Sequence, residues 1–190
     1  MARGAHRAAR MTGRGAYGGA MKGHELLADA FGRVHEAVHA AVDGLDLDQL
    51  HRRLDDDANP VGWLVWHLTR VQDDHVAEVA GLEQVWTGQG FEAKFGSPYP
   101  TAAVGYGQSS HEVGKLNVPS VEVLTGYHDA VHAQTLAYVG TLTDGDFDRV
   151  VDTRWDPPVT LGVRLVSVVN DTLQHAGQAA YVRGILLREA

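Results

Sequence analysis

TLGVRLVSVVNDTLQHAGQAAYVRGI, residues 160–185, decides the fold. Leu161, Leu165, Val168, Val169, Leu173, Ala176, Ala180 and Ile185 recur mostly three or four residues apart, which is the apolar stripe of an amphipathic helix. Thr160 stands where a helix N-cap belongs, and the pattern runs almost to the C-terminus. Two positions interrupt this core, Asp171 and His175. Burying such groups costs several kcal/mol unless a partner satisfies them, and a metal ion is one candidate partner.

Working outward, three more segments carry the same period. Leu26, Leu27, Phe31, Val34, Val38, Ala41 and Val42 give a first helix from Lys22 to near Gly44. Asn59 as N-cap and Pro60 at the first helical position predict a second helix from about Pro60 to Ala80. Ser120 caps a third, whose apolar side is Val121, Leu124, Val131, Leu136, Val139 and Leu142. The helix containing Asp171 is the fourth. Links between the first and second and between the third and fourth are short. The span from Gly81 to Pro119, rich in Gly, Pro, Ser and Gln, is long, with a short helix expected near SSHEVGKL. A connection of that length carries function or crosses between the ends of a bundle. No strand pattern competes, so the expected class is all-α: a four-helix bundle with a long crossover between helices two and three.

Composition bounds the function. The chain of 190 residues, 44% hydrophobic and 21% charged, suits one ordinary domain. That domain is expected over residues 22–190. Residues 1–21 hold Arg3, Arg7, Arg10 and Arg14 among Gly and Ala without helical period, and read as a disordered leader. The formal net charge of -8 argues against a nucleic-acid surface. No uninterrupted apolar run reaches the length of a membrane span and no secretory h-region is visible, so a cytoplasmic protein without a membrane partner is expected. There is no cysteine, which excludes disulfides, a cysteine nucleophile and thiolate ligands; any metal must be held by carboxylates and the eleven histidines.

Asp171 and His175, four apart on one helix, face the same way with Cβ atoms roughly 6 Å apart. A third ligand must come from another helix, and His67, flanked by Leu64, Leu68 and Val71, is the candidate on helix two. Together they make a two-His, one-carboxylate set suited to Zn²⁺, and also to Ni²⁺ or Fe²⁺. Hydrogen-bonded core histidines account for the same spacing. His128 and His132 repeat the four-residue interval on helix three and read as exposed or rim residues. His75 lies two turns beyond His67, about 12 Å along the axis, too far to share its ion. Trp63, Trp66, Tyr106 and Trp155 read as aromatic core or as lining of a pocket.

NPVGWLVWHLTRVQDDH (residues 59–75), RWDPPVTLGVRLVSVVNDTLQHAGQAAYVRG (154–184) and their order resemble the DinB-like superfamily. Within it the chain looks like the actinobacterial branch of mycothiol-dependent S-transferases, related to the metal-binding domain of mycothiol-dependent maleylpyruvate isomerase. The resemblance spans roughly residues 22–190 and implies a bundle of DinB-like type holding a divalent metal on His67, Asp171 and His175. Asp171 departs from the Glu or His found there in relatives; being shorter, it suits ligation through water. Gln178 and Arg183 match the family's HxGQ and following Arg, which implies catalytic roles in orienting substrate. A homodimer is likewise implied. Zn²⁺ is the first expectation for the metal, with Ni²⁺ or Fe²⁺ as alternatives. The function expected is transfer of a low-molecular-weight thiol, mycothiol as co-substrate, to an electrophilic small molecule. A metal-dependent hydrolase on the same site and a non-catalytic metal- or small-molecule-binding stress protein are the alternative readings.

Overall fold

The computed structural model describes residues 21–189; the expected leader, Met21 apart, lies outside the described residues. Four long helices dominate: α1 (Gly23–Val42), α3 (Val61–Ala80), α7 (Val121–Val139) and α8 (Leu161–Glu189). Helix α8 packs against α1 and α3, and α7 packs against the same two. The cyclic order is therefore α1, α8, α3, α7, which places the α3/α8 seam and the α1/α7 seam on opposite edges of the bundle. The all-α four-helix bundle with its crossover between the second and third long helices is as expected.

The first short link carries the one-turn helix α2 (Leu47–His51), capped by Asp46, whose side chain accepts from the Gln49 amide at 2.8 Å. Pro60, rather than Asn59, is the N-cap of α3; its extended backbone starts the helix without a side-chain cap. Gly81 ends α3 in the left-handed conformation that favours glycine, φ 66°. Ser120 caps α7 as expected, accepting from the Val123 amide at 3.1 Å. Thr160 stands just before α8, its hydroxyl 3.4 Å from the Val163 amide.

The crossover holds three short helices, α4 (Val85–Gly88), α5 (Phe91–Phe95) and α6 (Ser110–Val113), of which sequence periodicity indicated only the last. A second departure is a small antiparallel hairpin between α7 and α8, β1 (Val150–Asp152) paired with β2 (Val159–Thr160). Its strands are too short to show an alternating pattern. They are held by side chains instead: Asp152 accepts from Arg154 at 2.8 Å and from Arg164 of α8 at 3.2 Å. The Arg154 hydrogen bonds hold the Asp152 carboxyl well below the usual carboxylate range.

The crossover is tied to α3 by a buried polar knot. Both oxygens of Asp73 accept from the first turn of α4, the Val85 and Trp86 amides at 2.8 Å each, and Tyr127 of α7 donates to the same carboxylate at 2.8 Å. Arg70 donates to the Ala103 and Thr101 carbonyls and to Gln84, and lies over the Trp86 ring. Both side chains are fully buried. This knot fixes the path of the backbone that continues to Val104.

Candidate metal centre

The seam between α3 and α8 brings the three expected ligands together. His67, Asp171 and His175 each offer a ligand atom, and these lie within 4.8 Å of one another. Helical geometry supplies two of them, since four residues on α8 turn Asp171 and His175 to one face, with His175 Nε2 3.7 Å from Asp171 Oδ1. Helix α3 supplies the third from the facing side. His67 is buried, stacked on Trp63 at 4.7 Å and edge-on to His175 at the same separation.

Each imidazole is oriented by a bond on its far nitrogen. His67 Nδ1 donates to the Val104 carbonyl of the crossover. His175 Nδ1 donates to Gln178 Oε1 at 2.8 Å. In both rings the proton is thereby placed on Nδ1 and the Nε2 lone pair is left for a ligand, the arrangement typical of metal-bound histidine. Burial pushes His67 below the ordinary imidazole range, so it is neutral at neutral pH. The carboxylate supplies a sharper test of fit. Asp171 Oδ2 is a buried oxygen with no hydrogen-bond partner, a costly state for a carboxylate whose other oxygen, Oδ1, lies 3.7 Å from His175 Nε2. Two imidazoles, one carboxylate and no thiolate form a donor set that fits Zn²⁺, Ni²⁺ or Fe²⁺.

The triad opens onto a cleft of about 630 Å³ that His67 and Asp171 line together with Val71, Val104, Val163 and Val168. Tyr106 and Trp155, 91% and 65% exposed, stand at its mouth, whereas Trp66 is fully buried core. Arg154 and Arg164 also border the cleft. Arg164 is engaged by Glu78 at 2.7 Å and by His75 at 3.1 Å, so His75 takes part in this arginine cluster rather than in the triad.

The other two residues read from sequence go different ways. Gln178 reaches the site only through His175, as its hydrogen-bond acceptor. Arg183 points elsewhere, donating twice to the carbonyl of Asp43, the C-cap residue of α1, at 2.6 and 3.1 Å. Sequence reasoning missed Val104 and Gly105. The first acts through its main chain, and the second matters because a Cβ there would lie 2.7 Å from His67 Nδ1. It also misplaced His128, which is wholly buried between helices rather than at a rim.

Fold and site define a class: a helical bundle carrying a candidate two-His, one-carboxylate metal centre at a helix seam. The sequence pattern of the DinB superfamily matches residues 30–179, and the chain belongs to that superfamily. All three triad residues fall inside the matched segment. The structure is similar to the crystal structure of a conserved protein from Enterococcus faecalis, with a TM-score of 0.81 and 29% sequence identity, over 86% of this chain and 96% of that one. No curated protein matches the chain. Among the described residues no helix is long and apolar enough to cross a membrane.

Proposed function

We propose that this chain is a divalent-metal-dependent S-transferase that joins a low-molecular-weight thiol to an electrophilic small molecule. The observation that carries the reading is the triad itself: two imidazoles with Nδ1 already bonded, and a buried carboxylate oxygen without a partner, at the edge of an open cleft. When bound there, a divalent cation supplies a lowered thiol pKa and so a thiolate at neutral pH. The protein has no cysteine of its own, so the sulfur must come from a second substrate. The resemblance to the actinobacterial S-transferase branch supports mycothiol as that thiol in this reading, and the donor set suits Zn²⁺ as the metal.

His67, Asp171 and His175 hold the cation in this reading, and Gln178 positions His175. The valines of the cleft exclude water from one wall, while Trp155 and Tyr106 offer aromatic faces to an organic substrate at the mouth. A cytoplasmic homodimer completes the proposal, and sedimentation of the full chain tests the dimer.

The deciding experiment assays metal-stripped and Zn²⁺-loaded protein with mycothiol and a panel of electrophiles. Conjugate formation that requires both thiol and metal, and that His67→Ala abolishes, is the expected result. Turnover without added thiol would replace this reading by metal-dependent hydrolysis. Metal binding with no turnover across the panel would leave a binding protein.

A further inference from the structure

On the opposite edge of the bundle, where α1 meets α7, the seam is built from imidazoles. His35 and His39 lie four apart on α1; His128 and His132 lie four apart on α7, with Asp129 beside them. Both helices thus turn a histidine pair toward a common seam, where apolar residues would pack at lower cost. His35 stacks on His132 at 4.4 Å and on His128 at 5.6 Å, and His39 lies 4.6 Å from His35.

The convergence is specific. His35 Nε2 and His39 Nε2 approach one oxygen of Asp129, Oδ1, at 2.8 and 2.6 Å. These three atoms lie within 4.8 Å of one another, as those of the α3/α8 triad do. A second, separate observation marks the seam as incompletely satisfied. His128 is fully buried, its Nδ1 is bonded to Thr69, and its Nε2 has no partner; buried Nδ1 of His132 has none either. Buried imidazole nitrogens without partners are uncommon in a native helix interface, and a nearby ion is one of the few explanations for them.

We infer that His35, His39 and Asp129 form a second divalent-metal site, independent of the α3/α8 triad, that clamps α1 to α7. Two nitrogens and one oxygen, with no sulfur, select a borderline first-row cation of the Zn²⁺ or Cu²⁺ kind. The i, i+4 histidine pair supplies a chelate on one helix, and Asp129 carries the bond across to the other. Partial exposure of His39 and Asp129, 43% and 48%, leaves room for water to complete the coordination. His132 and His128 stand behind the site and pack against the ring of His35.

The test is metal stoichiometry on the full chain, stripped with chelator and titrated with Zn²⁺ by calorimetry and with Co²⁺ by its visible absorption. Four proteins are compared: wild type, His35→Ala/His39→Ala, His67→Ala/His175→Ala, and the four-fold variant. Circular dichroism without metal establishes that each is folded; the α1 histidines are partly exposed, so their truncation opens no deep cavity. The expected counts are about two equivalents, one, one and none, with Asp129→Asn weakening only the second site by at least about tenfold. A single wild-type equivalent that vanishes with His35→Ala/His39→Ala would sustain this site and remove the α3/α8 one. The inference is overturned if His35→Ala/His39→Ala binds as many equivalents as wild type, or if Asp129→Asn leaves the affinities unchanged. In that case the cluster is a set of histidines hydrogen-bonded to Asp129 that holds no ion.

Discussion

At position 105 any side chain would collide with the ligand beside it. Gly105 has φ +93°, and a Cβ there would meet His67 Nδ1 at 2.7 Å, Trp66 at 3.0 Å and Trp63 at 3.1 Å. Gly105→Ala is therefore strained in its backbone and must push Val104, and the carbonyl that orients His67, off the ring. We expect Zn²⁺ affinity at the α3/α8 triad to fall about 10–100-fold, with a stability loss of about 1–3 kcal/mol, read by competition with a chromogenic chelator and by thermal unfolding. Gln178→Ala separates orientation from stability. It removes the acceptor that holds the His175 tautomer, yet Gln178 is exposed, so affinity should drop about tenfold with almost no change in melting temperature. An equal affinity in Gln178→Ala and wild type would deny Gln178 its positioning role. Four-residue spacing and an apolar surround made His67, Asp171 and His175 candidates in the sequence but left core histidines as an equal account, and the resemblance to the DinB-like superfamily is what singled the three out. The Val104 carbonyl was not legible, because a main-chain oxygen carries no residue signature, and nothing in the sequence around Gly105 announces its approach to His67.

The elements differ in how far their causes lie along the chain. Each long helix is written in its own period, which is why three of the four have nearly the expected bounds, whereas α7 ends at Val139, short of Leu142, which the sequence pattern had placed on it. The crossover is organised from outside itself: α4 begins where Asp73 of α3 accepts its first amides, and Arg70 gathers the carbonyls of Thr101 and Ala103. No pattern inside residues 81–119 announces that. The hairpin before α8 is similar, since Arg164 and Arg154 hold Asp152 across strands too short to alternate. Asp73→Ala tests the argument. It strands the buried Arg70 charge, the Tyr127 hydroxyl and two amides, and loss of one partner of a buried ion pair costs about 3–5 kcal/mol. Urea unfolding should show that loss, and chelator competition should show weakened Zn²⁺ binding, because the same backbone delivers Val104 to His67. Destabilisation with unaltered metal affinity would mean that the crossover positions the ligand by some other contact.

Across the whole molecule, histidines sit on both opposite seams of the bundle, and the folded state holds several of them neutral. Burial pushes His128 down to about 3, with the neighbouring His35 and His132 acting in the same direction. Burial likewise takes His132 to about 4 and pushes His67 and His75 below the ordinary range. His128 faces Thr69 of α3, His35 and His39 of α1, and Asp129 and His132 of its own helix, and of these only Asp129 favours its protonation. In the unfolded chain the same imidazole titrates near 6.5. Between that value and about 3 the unfolded state therefore binds the extra proton, so this contribution to stability is complete above pH 6.5 and is lost as pH falls. One such group gives a slope approaching about 1.4 kcal/mol per pH unit. In chelator, urea unfolding between pH 7.5 and 4.5 should show wild-type stability falling with acid. His128→Gln keeps a donor for Thr69 and does not titrate, so its curve should be shallower by close to one proton's slope. Parallel curves would place the acid sensitivity elsewhere, in His67 and His75 on the α3/α8 side, and the same measurement on His67→Gln would then have to show the flattening.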